Sequence, residues 1–241
     1  MFDLTGKTAL VTGSARGIGF AVAAAMKKAG ANVILHGATE SEHLKKAAQT
    51  LASPYAAADL GKEEELRILC EKIQAVDILV LNGSVQSYTG LENFSQAEFT
   101  RMMDTNVAST FHLLSHFVPK MTEKGFGRII GISSINQVRP APRLAVYSAT
   151  KAALANIMAM TAKRYAADGV TANTILPGVI RTDRNREALK NEEFAAKLLE
   201  DIPAHRFGTP EDCAPLAVFL ASDEASYITG AEIPAAGGWQ L

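Results

Sequence analysis

The sequence predicts an α/β fold: a doubly wound parallel sheet with helices on both faces. Three observations lead there. Short apolar, β-rich runs alternate with longer helical patterns from one end of the chain to the other, as repeated βαβ units require. One run, Asp-Ile-Leu-Val-Leu at 77–81, is apolar almost without a break, as expected of a strand buried on both sheet faces. Three glycines cluster where the first strand turns into the first helix.

Residues 8–11 read as the first strand, and 18–29 as the first helix, with Gly30 as its stop signal. A second strand at 32–36 is followed by a helix at 40–50. A short third strand at 54–58 precedes a helix with a charged face at 62–74, which carries Glu63, Glu64 and Glu65. After the 77–81 strand, residues 95–120 read as one long helical stretch. Strand 127–132, helix 147–167, strand 170–176, helix 210–221 and a weak last strand at 231–234 complete the alternation. No linker, repeat or low-complexity segment interrupts it, so residues 1–241 read as a single domain. The least regular part is 180–208, where arginines mix with weak apolar periodicity. In a sheet of this kind it reads as a substrate-loop insertion over the carboxyl ends of the strands, where ligands bind.

Composition narrows the function. The 241 residues are 48% hydrophobic and 20% charged, with a net charge of −1. No basic field points to nucleic acid or to an anionic membrane. No run approaches the roughly 18 apolar residues of a membrane span. The first seven residues lead straight into a strand and do not resemble a signal peptide. Cys70 and Cys213 form no metal pattern and read as reduced thiols of a cytoplasmic protein. His112 and His116 share a helix face, but no third ligand accompanies them, and a helix-helix contact is the simpler reading. No metal is expected.

Two local patterns carry chemistry. In Val11-Thr-Gly-Ser-Ala-Arg-Gly-Ile-Gly19, Gly13, Gly17 and Gly19 follow a G-x-x-x-G-x-G spacing. A tight turn, a bare backbone beside a pyrophosphate and close helix-sheet packing all need a missing Cβ. The helix behind the turn offers amides and partial positive charge to phosphates. In Ala145-Val-Tyr-Ser-Ala-Thr-Lys151, Tyr147 and Lys151 stand at i and i+4, on one helix face. A fixed ammonium beside a phenol favours the phenolate, so the pair reads as a proton-transfer device whose lysine lowers the tyrosine pKa.

Together these segments resemble the short-chain dehydrogenase/reductase family over essentially the whole chain. Thr12-Gly-Ser-Ala-Arg-Gly-Ile-Gly19 looks like its cofactor turn. Ser134 stands thirteen residues before Tyr147 and resembles the catalytic serine; Asn106, in Met103-Asp-Thr-Asn-Val107, resembles the catalytic asparagine. The resemblance implies a single-domain Rossmann-type fold with hydride transfer between a nicotinamide and a carbonyl or alcohol carbon. Tyr147 would be the acid or base. Lys151 would lower its pKa and bond the nicotinamide ribose, Ser134 would donate to the carbonyl oxygen, and Asn106 would anchor a water linking Lys151 to solvent. The implied cofactor contacts are Gly13, Ser14, Arg16, Gly17, Ile18 and Gly19 in the turn and Ala38 after the second strand. Asp59 and Leu60 would lie near the adenine, Asn82 and Gly83 after the fourth strand, and Pro177, Gly178, Ile180 and Thr182 beside the nicotinamide, together with Tyr147 and Lys151. The family's Asn-Asn-Ala-Gly reads Leu81-Asn-Gly-Ser84 here, and its Asp-Gly-Gly reads Ala236-Gly-Gly238. The first change bears on how that loop is tied down.

No acidic residue ends the second strand, where Gly37 stands, so a 2′-phosphate meets no repulsion and Arg16 is placed to pair with it. NADP(H) is therefore favoured over NAD(H). Val85, Gln86, Asn136, Gln137, Arg143 and Arg184 are candidate pocket positions, polar enough to suggest a small keto compound, polyol or sugar acid. A 3-oxoacyl-carrier-protein reductase is an alternative, for which Arg139 and Arg143 would supply a basic pocket mouth. A nucleotide sensor without turnover is the reading from another class. The resemblance also implies a homotetramer, or a homodimer, through the Tyr147 helix, whose Ala149, Ala152, Ala153, Ala155 and Ala159 permit close packing.

Overall fold

A computed structural model describes residues 2–88 and 90–241. Met1, in the segment leading into the first strand, lies outside the described residues. One seven-stranded sheet organises the chain, in the order β3-β2-β1-β4-β5-β6-β7 with every pairing parallel. The strands are β1 (Thr8–Val11), β2 (Asn32–Gly37), β3 (Tyr55–Ala57), β4 (Ile78–Leu81), β5 (Gly127–Ile132), β6 (Val170–Pro177) and β7 (Glu232–Ala235). This is the doubly wound Rossmann-type sheet that the alternation predicts, with its topological switch between β1 and β4.

Alternation along the strands divides the core into two layers. Val11, Ile78, Val80 and Ile130 pack under α1 (Gly17–Lys28), α2 (Glu42–Leu51) and α9 (Pro210–Ala221). Leu10, Leu79, Leu81 and Ile129 point the other way, under α3 (Glu63–Ile73), α5 (Ser109–Lys124) and α6 (Ala145–Tyr165). Leu81, the residue that departs from the family pattern, is a buried member of that second layer.

Two elements differ from the expectation. The stretch read as one helix is α4 (Gln96–Met103), a π-helical turn over Asp104–Ala108, and α5. Periodicity does not reveal one extra residue in a turn, and π-turns gather at functional sites. The insertion read as irregular contains α7 (Asp183–Leu189) and α8 (Glu192–Asp201). None of their residues is fully buried, which is why they carry so little apolar periodicity. Among the described residues no helix is long and apolar enough to cross a membrane.

Candidate active site

The glycine turn sits between β1 and α1. Gly13 and Gly17 have φ of +62° and +61°, the region that favours glycine. A Cβ on Gly13 would lie 2.8 Å from Gly83 Cα, and one on Gly19 would lie 2.4 Å from Gly13 O. The backbone of the β4 loop therefore presses on the turn. Asn82 Nδ2 donates to Thr12 O at 2.8 Å and Gly13 O at 3.0 Å, while Thr12 Oγ1 accepts from the amides of Asn82 and Gly83, both at 2.9 Å. These bonds tie the loop down with Leu81 committed to the core. At the start of α1 no side chain caps the helix and the first turn holds no acid. Its first amides are orphan donors at the positive end of the dipole, and Gly17, Ile18 and Gly19 open onto a cavity.

His36 braces the turn from β2. It is buried, its Nδ1 accepts from Gly13 N at 3.1 Å, and its Nε2 lies 3.0 Å from Ala58 O. Both partners are satisfied only by the neutral Nε2–H tautomer. Burial accordingly pushes the His36 pKa down to about 4.

The cavity, about 830 Å³, runs along the carboxyl ends of the strands. Its wall beyond β2 and β3 is formed by Ala38, Thr39, Ser41, His43, Asp59 and Leu60. Its other end holds Ser134, at the end of β5, and Tyr147 and Lys151, on α6. Ser134 and the Arg184 guanidinium lie beside the Tyr147 hydroxyl. Burial raises the Tyr147 pKa, and Arg184 and the Ser134 bond oppose that rise. Arg184, which the sequence offered only as a pocket position, is thus a cation beside the phenol. Lys151 Nζ lies 5.6 Å from the Tyr147 ring centroid and donates to Ile132 O at 2.8 Å. Burial first, and repulsion from Arg184 second, bring its own pKa down to about 7.

A family model described as enoyl-(acyl carrier protein) reductase matches residues 13–240. The chain belongs to the short-chain dehydrogenase/reductase family. Among its relatives is the 3-oxoacyl-(acyl-carrier-protein) reductase FabG of Rickettsia conorii, 38% identical over 240 residues that cover 99% of this chain and 98% of the relative. The D-beta-hydroxybutyrate dehydrogenase of Rhizobium meliloti is 32% identical, covering 97% of this chain and 98% of the relative. A crystal structure of a 3-oxoacyl (acyl-carrier-protein) reductase from Agrobacterium tumefaciens C58 with NADP bound superposes with a TM-score of 0.93 at 37% identity, covering 98% of this chain and 95% of that one. This short-chain dehydrogenase/reductase is an oxidoreductase acting between alcohol and carbonyl carbons.

Of the site residues singled out in the sequence, four do not line the cavity: Ser14, Asn106, Gln137 and Arg139. Ser14 is turned inward, its Oγ accepting from His36 N at 2.9 Å. Asn106, on the π-turn, is buried and spends its amide on structure. Oδ1 accepts from Val85 N at 2.8 Å, and Nδ2 donates to Val85 O at 2.9 Å and Thr150 Oγ1 at 3.1 Å. Both Nδ2 hydrogens are thus used, so the geometry makes Asn106 a tether for the β4 loop. Gln137 bonds Ser133 and Glu232. Every other candidate contact, from Gly13, Arg16, Gly17, Ile18 and Gly19 through Ala38, Asp59, Leu60, Asn82 and Gly83 to Pro177, Gly178, Ile180 and Thr182, lies on the cavity wall, as do Val85, Gln86, Asn136, Arg143 and Arg184. Sequence reasoning missed His36, Ser84, Thr39, Ser41 and His43. A histidine ending β2 beside Gly37 was the one legible signal. The rest needed the loops placed against one another.

Proposed function

We propose that the chain interconverts a small polar carbonyl compound and its alcohol with NADP(H). One observation carries the reading: Tyr147, Ser134, Lys151 and Arg184 converge at one end of a cavity whose other end is the glycine turn.

The residues present fit that cofactor. The uncapped start of α1 and the side-chain-free Gly17 suit a pyrophosphate. Beyond β2 the wall carries no acid; Arg16, Thr39, Ser41 and His43 surround the place a 2′-phosphate would take. Arg16 is 3.1 Å from Asp183 with 62% of its side chain exposed, so it can turn to a phosphate at little cost. Asp59 and Leu60 would hold the adenine side, and Pro177 to Thr182 the nicotinamide side. The relative with bound NADP supports the same cofactor. Once bound, the nicotinamide supplies or accepts the hydride.

In reduction the Tyr147 hydroxyl gives its proton to the substrate oxygen, while Ser134 donates a hydrogen bond where negative charge develops. Arg184 stabilises the phenolate left behind. Lys151, poised near neutrality with Nζ already aimed by Ile132 O, retains donors for the cofactor ribose. Asn106 keeps Val85, and with it the cavity wall, in place.

The test is loss of NADPH absorbance over a panel of polyols, sugar acids, short keto compounds and 3-oxoacyl thioesters. Absence of turnover with every member, while NADPH still raises the melting temperature, would leave a nucleotide-binding protein instead. Likeness to FabG favours a second reading, reduction of a carrier-bound thioester. Against it, Arg139, one half of the proposed basic mouth, lies 3.4 Å from Asp201 and stacks on Trp239. Reduced Cys70 and Cys213 suit a cytoplasmic enzyme. We also infer a homotetramer or homodimer through α5 and α6: Ala149, Ala152 and Ala159 are exposed there with Phe111 and Met160.

A further inference from the structure

Deepening that reading, and resting on it, we infer that the substrate is an oxo acid or its hydroxy acid, whose carboxylate is held by Arg184 and Arg143. Arg184, on α7, reaches across the cavity to the loop after β4. Its Nη2 donates to Ser84 O at 2.7 Å, and Nη1 and Nη2 each lie 3.2 Å from Ser84 Oγ. That places a guanidinium against the catalytic phenol. Arg143 stands at the same end, its guanidinium 4.5 Å from the Phe194 ring centroid and 5.5 Å from that of Tyr88. Two aromatic rings thus brace it without neutralising it.

Charge decides what these arginines are for. Among the described residues neither makes a salt bridge, whereas Arg16, Arg128, Arg139 and Arg206 each sit within 3.5 Å of a carboxylate oxygen. Among the described residues only two acids line the cavity, Asp59 and Asp183. Asp59 Oδ1 accepts from Gly61 N on the β3 side, and Asp183 is already bonded to Arg16 and Arg186. The catalytic end therefore carries Arg143, Arg184 and Lys151 with no opposing carboxylate. Both arginines are exposed, so water can serve them beside a neutral ketone; a carboxylate would pair with them in charge-assisted bonds of matching geometry. The cofactor phosphates do not account for Arg184. Thr182 is the residue facing Gly17, with Cγ2 3.5 Å from a Cβ built there, whereas Arg184 is engaged by Ser84 and Tyr147. In the reaction the carboxylate is a handle only. The carbonyl carbon would gain a hydride, the hydrogen with its electron pair, from the reduced nicotinamide, which would be left oxidised, and the carbonyl oxygen would take the Tyr147 proton.

Matched probes test this: acetoacetate against ethyl acetoacetate, and 5-keto-D-gluconate against D-fructose, with NADPH and the wild-type chain, Arg184→Gln and Arg184→Lys. The wild type should favour the acid of the pair it reduces by at least about tenfold in kcat/KM. Arg184→Gln should lower kcat for both partners, because it also removes the cation beside the phenol, should in addition raise KM for the acid alone about tenfold to a hundredfold, and should bind NADPH as before. Arg184→Lys should recover part of the preference. Equal losses on acid and neutral partner, or a wild type that prefers the ester, the ketose or a 3-oxoacyl thioester, would overturn the carboxylate assignment alone. A wild type that reduces no carbonyl compound would overturn the oxidoreductase reading and the assignment with it.

Discussion

Burial sets the chemistry of individual residues more than neighbour charge does. Tyr147 and Lys151 were paired by spacing alone, yet their own burial holds the phenol up and brings the ammonium down to about 7. Tyr147→Phe removes the proton donor and leaves the cavity shape unchanged. It is expected to bind NADPH normally and to lose about a hundredfold or more in kcat; a variant with near-normal turnover would remove Tyr147 from the mechanism. His36 carries a separate pH signature. Its folded pKa of about 4 lies below the unfolded value of 6.5, so between those values the unfolded chain binds the extra proton. Stability contributed by neutral His36 is complete above pH 6.5 and falls as pH drops towards 4, by up to about 3 kcal/mol. Urea unfolding from pH 7 to 4 should show that slope in the wild type and a shallower one in His36→Gln. Parallel curves would rule out the Gly13–His36–Ala58 bridge as its source.

At the scale of elements, the π-turn between α4 and α5 is the feature with most consequence. One residue more than an α-turn places Asn106 where its amide closes on Val85 and Thr150. Asn106→Ala leaves the half-buried amide and carbonyl of Val85 without their side-chain partner. A cost of about 1–3 kcal/mol follows, seen as a lower melting temperature together with a raised substrate KM, because Val85 lines the cavity. A fall in stability with KM unchanged would show that the loop holds its position without the tether. α7 and α8 act at the same scale. They are surface helices that roof the carboxyl ends of the strands, contributing Arg184, Leu189, Phe194 and Leu198 to the cavity.

For the whole molecule, the exposed face of α5 and α6 is the surface through which we propose that copies pair. Phe111 and Met160 are about half exposed beside a row of alanines, an arrangement that favours close helix packing between copies. Sedimentation should give a dimer or tetramer for the wild type and a smaller species for Phe111→Asp. A wild-type monomer at micromolar concentration would dispose of this interface.

The sheet, the glycine turn and the Ser134–Tyr147–Lys151 order were legible from residue order because they rest on local rules. Strands buried on both faces are continuously apolar, turns with positive φ need glycine, and i, i+4 residues share a helix face. The roles of Asn106 and Arg184 were not legible in that way. Asn106 depends on a helical irregularity that leaves no periodic mark, and Arg184 depends on α7 folding back over Ser84 from a hundred residues away in sequence. Residue order thus determined the family and the type of chemistry. Tertiary structure decided which cations gather around the phenol, and with them the substrate charge we propose, because an electrostatic field is set by distance and burial and not by position along the chain.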